Sequence, residues 1–257
     1  MIDQGPILET RAVSKTFGAV KALTGVDFEV RPGEVMALVG DNGAGKSTLI
    51  KGIAGIHRFD EGNVAFEGNV VNIQGPSDAA ALGIEIVYQD LALADNLDVV
   101  ANMFLGREQT RGFLRTLDES NMEEQSRGVL ESLSVSTLTS VRQTVAGLSG
   151  GQRQAVAVAK AVMWNSKIVI LDEPTAALGV AQTRQVLDLV RTLADRGLAV
   201  ALISHNLHDI FEVADRITVL RLGQNVAVYE TDQTNQQEIV HAITAGQVEF
   251  VPGMDKE

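Results

Sequence analysis

The chain has 257 residues, 45% of them hydrophobic, which is long enough for one or two domains and a sizeable core. It has no cysteine, which excludes disulfides, cysteine-ligated zinc and thiol catalysis. Its 21 Lys and Arg stand against 33 Asp and Glu, a net charge of -12, which argues against a sequence-independent nucleic-acid binder with its basic face.

In chain order, residues 8–30 read as short strands with glycine turns, paired antiparallel. Val35-Met36-Ala37-Leu38-Val39 is an apolar run ending in glycine, the pattern of a strand buried on both faces. Residues 62–74 again read as short strands. From about 90 to 150 there is no buried-strand run, and residues 116–144 are polar with few large side chains. This stretch predicts a smaller helical subdomain, spanning about 90–160, inserted into the main body. Ala155, Val158, Ala159 and Val162 recur at helical spacing; so do Val186, Leu189, Val190 and Leu193, and Leu207, Ile210, Phe211 and Ala214. Ile168-Val169-Ile170-Leu171 and Ala199-Val200-Ala201-Leu202-Ile203 are two more buried strands, and Gly197 is a helix stop between elements. Residues 251–257 read as a frayed tail. The fold class is α/β with a mostly parallel core sheet. No apolar run approaches the roughly 18 residues that span a bilayer. Residues 1–6 lack a basic region followed by an apolar stretch, so a soluble intracellular protein is expected.

Three motifs carry chemistry. Gly40-Asp41-Asn42-Gly43-Ala44-Gly45-Lys46-Ser47-Thr48 fits G-x-x-x-x-G-K-[ST] between a strand and a helix. Its glycines let backbone amides cradle phosphate oxygens, and the helix start adds partial positive charge. Lys46 is expected to reach the β- and γ-phosphates, and Ser47 to ligate Mg²⁺. Next, the strand ending Leu171-Asp172-Glu173 delivers two carboxylates to its C-terminal end, where parallel sheets hold ligands. Asp172 is the candidate Mg²⁺ ligand, and Glu173 the candidate general base or water-orienting group. Finally, Ser149-Gly150-Gly151-Gln152 opens a helix with a good N-cap and open amides, a second anion site.

With these motifs in this order, the chain resembles the ATP-binding cassette (ABC) ATPases over nearly its full length, residues 1–250 forming one nucleotide-binding domain. The resemblance implies a P-loop core, ATP and Mg²⁺ as cofactors, and an adenine-stacking role for Phe17. It makes residues 40–48 the Walker A loop, Gln89 the Q-loop residue that senses Mg²⁺ and γ-phosphate, residues 148–152 the signature, and Asp172 with Glu173 the Walker B pair. His205 becomes the switch histidine. It further implies a head-to-tail homodimer, each ATP held between one copy's Walker A loop and the other's signature.

After Pro174 the family usually carries Ser-Ala-Leu-Asp; this chain has Ala176-Ala177-Leu178-Gly179, so the coupling carboxylate is missing. The wording around Val87-Tyr88-Gln89-Asp90 and Ile203-Ser204-His205-Asn206 is similar to the ATPases of monosaccharide importers. That implies separate permease subunits, an extracytoplasmic sugar-binding protein as an indirect partner, and a peripheral place on the cytoplasmic face of the bacterial inner membrane. Two alternatives stand beside it: a soluble ABC ATPase not tied to transport, and a low-turnover nucleotide-gated clamp, for which Gly179 is the support.

Overall fold

A computed structural model describes residues 5–135 and 137–246. From the N-terminus, β1 (Leu8–Phe17) and β2 (Val20–Val30) form an antiparallel pair running from Leu8 opposite Val30 to Phe17 opposite Val20. β3 (Val35–Val39) and α1 (Lys46–Ile53) follow, then β4 (Glu61–Phe66) and β5 (Asn69–Val71). These complete a four-stranded antiparallel sheet in the order β2-β1-β4-β5. β1 and β2 have ten and eleven residues, longer than the sequence suggested. Chain then passes through α2 (Pro76–Leu82), β6 (Ile84–Val87) and α3 (Val99–Phe104). A small hairpin, β7 (Thr110–Arg111) and β8 (Thr116–Leu117), precedes α4 (Glu119–Ser132) and α5 (Gly150–Val162). The remaining elements are β9 (Ile168–Asp172), α6 (Val180–Asp195), β10 (Ala199–Ile203), α7 (Leu207–Val213), β11 (Arg216–Arg221), β12 (Gln224–Glu230) and α8 (Gln236–Ala245).

The three apolar runs read from the sequence become the middle of a six-stranded sheet, order β12-β11-β3-β10-β9-β6. β3, β10, β9, β6 and β11 run parallel, and β12 pairs antiparallel with β11. Because successive strand side chains point to opposite faces, each run divides between two cores. Met36, Leu38, Ile168, Ile170, Ala201 and Ile203 pack toward α1 and the first sheet. Val35, Ala37, Val39, Val169, Leu171, Val200 and Leu202 pack toward α5 and α6. Each of the Val, Leu, Ile and Met side chains among them is worth about 1.5–3 kcal/mol of apolar burial, which is why strands buried on both faces read as continuous hydrophobic sequence.

Three further details differ from the sequence expectation. α5 is buried well beyond one face: Val156, Ala157 and Ala161 join the predicted stripe while Val162 is only partly buried. The helix is covered by the sheet on one side and by α3, α4 and α6 on the others, so its small residues, not a narrow stripe, set the packing. α7 ends at Val213, and Ala214 is already extended. The 90–150 stretch contains the exposed hairpin as well as helices. Gly197 sits just past α6 at φ +88, the left-handed stop expected there. The expected tail at 251–257 lies outside the described residues. Among the described residues no helix is long and apolar enough to cross a membrane.

Candidate nucleotide site

The C-terminal end of β3 turns directly into the glycine loop. Gly40, Gly43 and Gly45 take φ values of +154, +81 and +103. A Cβ at Gly40 would collide with the Leu220 carbonyl, and one at Gly45 would lie 2.7 Å from Leu23 Cδ2 and 2.8 Å from the Ala22 carbonyl. Two of the motif's glycines are therefore fixed by close backbone approach as well as by conformation. Gly45 caps α1 without any side-chain hydrogen bond, which leaves the first-turn amides of Lys46, Ser47 and Thr48 directed at the cleft. Lys46 Nζ donates to the carbonyls of Gly40 at 2.7 Å and Asp41 at 3.1 Å. Burial pushes the Lys46 pKa down, against the pull of Glu173, Asp41 and Asp172.

Across from this loop, β9 ends at Asp172, in register with Ile203 at the end of β10. Glu173 then adopts φ +51, an uncommon left-handed conformation for a side-chain-bearing residue, held by its N–H donating to the Ile203 carbonyl at 2.9 Å. That bend turns the Glu173 carboxylate toward His205, whose Nδ1 lies 2.8 Å from Oε2. The Glu173 side chain is 17% exposed and that of His205 77% exposed. Burial raises the Asp172 pKa, Glu173 adds to the rise, and Lys51 and Lys46 oppose it. Burial and the Asp172 charge also raise the Tyr88 pKa.

A cleft of about 460 Å³ brings together Asn42, Gly43, Ala44, Gly45, Lys46, Ser47, Thr48, Gln89, Asp172 and Glu173. Its volume lies within the range of small-molecule and cofactor sites. Val20, Lys21 and Ala22 of β2 form one wall, a contribution invisible in the sequence because it depends on the β1–β2 sheet folding over the loop. Gly40 anchors the loop at its start. Phe17, Ser149, Gly150, Gly151, Gln152 and His205 are not part of this lining. Phe17 is 49% exposed and packs edge-to-face on His57, ring centroids 5.4 Å apart, with Lys15 Nζ 5.4 Å from its ring. His57, to which the sequence assigned nothing, thus supports the aromatic.

The second anion element is an exposed helix start. Ser149 Oγ accepts from the Gln152 N–H at 3.3 Å, and Gln152 Oε1 accepts from the Ser149 N–H at 2.9 Å, a complete capping box. Ser149 and Gly150 are exposed, while Gly151 is buried against Gln182 at the start of α6. Gly179 is the N-cap of α6 and brings no side chain.

The ionised form of Asp172 is disfavoured in the fold, since its pKa lies above the unfolded value. Asp172→Asn is therefore expected to raise the melting temperature of the nucleotide-free chain at neutral pH. The gain should shrink as pH falls toward the ordinary Asp range near 3.8, where wild type becomes protonated in both states. Thermal melts of both chains from pH 4 to pH 8 check this.

A glycine loop at a parallel strand end, running into an uncapped helix and facing a second strand tipped with two carboxylates, is the arrangement of a P-loop nucleotide-binding protein. A family model described as "ABC transporter" matches residues 23–176. The chain belongs to the ABC transporter family and is an ATP-binding, ATP-hydrolysing cassette. It is 49% identical to the xylose/arabinose import ATP-binding protein XylG of Sulfolobus acidocaldarius, over 93% of this chain and 94% of that one. It is 46% identical to the fructose import ATP-binding protein FrcA of Rhizobium meliloti, over 94% and 95%. The ribose import ATP-binding protein RbsA of Yersinia pestis matches at 41% over 91% of this chain and 46% of its own length. A solved nucleotide-free ATP-binding cassette from an ABC transporter superposes with a TM-score of 0.79 at 28% identity, over 93% of this chain and 95% of that one.

Proposed function

We propose that this chain is the ATP-hydrolysing subunit of a monosaccharide importer, working as a homodimer under separate permease subunits at the cytoplasmic face of the membrane. One observation carries the reading: two sugar-import ATP-binding proteins are similar to it over more than nine-tenths of both chains. An extracytoplasmic sugar-binding protein would be an indirect partner.

The phosphates would lie over the loop amides of residues 43–48, with Lys46 exchanging its contacts on the Gly40 and Asp41 carbonyls for phosphate oxygens. Ser47, Gln89 and Asp172 offer hydroxyl, amide and carboxylate oxygens on the cleft wall, a hard donor set suited to Mg²⁺. Mg²⁺ usually keeps several waters and takes only one or two carboxylates, so waters and phosphate oxygens would complete the shell. When bound, Mg²⁺ would offset the charge spreading over the transferred phosphoryl group.

Glu173 would orient a water and take its proton as the water oxygen attacks the γ-phosphorus and the bond to the β–γ bridging oxygen breaks. The Glu173 side chain lines the cleft and uses Oε2 in its contact with His205, which would leave Oε1 for that water. His205, by its bond to Oε2, would fix the carboxylate rotamer and lie within reach of the γ-phosphate. Phe17 would stack on adenine. Ser149 and the amides of Gly150, Gly151 and Gln152, being at an exposed helix start, would meet the nucleotide held by the other copy.

The test is sugar uptake by cells lacking this chain, over a panel of pentoses and hexoses. Loss of uptake for one sugar or a few supports the reading; unchanged uptake of all of them overturns it. A second reading, a nucleotide-gated clamp with little turnover, rests on Gly179 standing where a coupling carboxylate is usual. Steady-state turnover of the purified complex separates the two.

A further inference from the structure

Asp209 is a carboxylate on α7, 3% exposed, with no ion pair among the described residues. Both of its oxygens are used. Oδ2 accepts the Thr175 hydroxyl at 2.7 Å, and Oδ1 accepts Asn206 Nδ2 at 2.8 Å. Thr175 belongs to the turn that carries Glu173, and Asn206 directly follows His205. The Glu173 N–H meanwhile donates to Ile203 at the end of β10. The turn after β9 is therefore tied to the β10–α7 connection at two points, one on each side of the 2.8 Å contact between Glu173 and His205.

That turn needs ties. Glu173 and Ala177 both take positive φ, at +51 and +60, a conformation that side-chain-bearing residues keep only when the surroundings enforce it. A buried carboxylate bonded only to neutral donors is a costly way to fill space, and a neutral side chain would pack there with less desolvation. What the carboxylate does make is a link between two turns, through Thr175 on one and Asn206 on the other.

We propose that Asp209 and Thr175 form a positioning clamp for hydrolysis, holding the Glu173 turn against the His205 turn so that the two side chains keep their mutual geometry. The clamp rests on the assignment of Glu173 and His205 to the hydrolytic step made above. Neither Asp209 nor Thr175 lines the nucleotide cleft; both act through Glu173.

Valine is close to threonine in shape but lacks the hydroxyl, whereas serine keeps the hydroxyl and loses the methyl. In the purified full chain, Thr175→Val is expected to lower kcat for ATP about tenfold with KM changed less than about threefold, a displacement effect on chemistry rather than on binding. Thr175→Ser is expected to stay within about twofold of wild type. The reverse order, with valine near wild type and serine slow, would mean that packing matters rather than the hydrogen bond, and would overturn the clamp. Asp209→Ala should reproduce the loss, with Thr175→Val adding little on top of it, because the two act as one unit. If Asp209→Ala fails to fold, the Thr175 pair still decides. Neither change should slow a Glu173→Gln chain further. Glu173→Gln turning over at the wild-type rate would remove the hydrolytic assignment and the clamp with it. Wild-type turnover in Thr175→Val alongside an inactive Glu173→Gln would overturn the clamp alone.

Discussion

Glu173→Gln is expected to lower ATP turnover by roughly 10²- to 10⁴-fold, the usual contribution of a positioned general base, while ATP binding stays near wild type. Glutamine keeps the length of the side chain and one acceptor oxygen, so the bond to His205 Nδ1 has a replacement partner. What it loses is the capacity to take a proton from water. Binding should survive because the loop amides and Lys46 are untouched. Turnover by phosphate release and affinity by equilibrium titration check both halves. A slow variant also accumulates the ATP-bound state, so a head-to-tail dimer should appear by sedimentation when ATP is present and disappear without it. Normal phosphate release by the variant would remove Glu173 from the chemistry.

Lys46→Ala should act on the other half of the same equation. The half-buried ammonium is the one cation in the cleft loop, and it bonds only to two neutral carbonyls of that loop. Its loss leaves the fold close to intact, since burial already opposes the charge there. It removes a charged hydrogen-bond donor to the triphosphate, about 3 kcal/mol or roughly 10²-fold in Kd. Equal affinity in wild type and Lys46→Ala would contradict the phosphate-loop assignment. Glu173→Gln and Lys46→Ala thus separate: one keeps binding and loses rate, the other loses binding.

Most of the nucleotide cleft could be read from residue order because its parts are contiguous words at strand ends. Residues 40–48 and Asp172–Glu173 announce both their chemistry and the strands that carry them. The core strands β3, β9 and β10 were legible for the same reason: a strand buried on both faces has to be apolar throughout. β6 and β11 escaped notice because a strand near a sheet edge tolerates polar residues. Ile84-Glu85-Ile86-Val87 carries a half-buried glutamate, and β11 begins and ends with arginine. Asp209 and His57 escaped for a different reason. On a short helix an aspartate looks like a solvent-facing residue, and only the three-dimensional meeting of α7 with the turn after β9 buries it. Likewise, nothing in the order of residues says that the start of β2 closes one side of the cleft.

The positive φ of Glu173 grades which replacements at that position carry information. Glycine, asparagine and aspartate enter left-handed backbone at low cost, and glutamine inherits the bend already enforced by its neighbours. Valine, isoleucine and threonine crowd their own carbonyl there, so they would unbend the turn and disturb Asp172 as well. An inactive β-branched variant at 173 would report a lost chain direction, and a saturation library scored only by growth would confuse it with a lost proton acceptor.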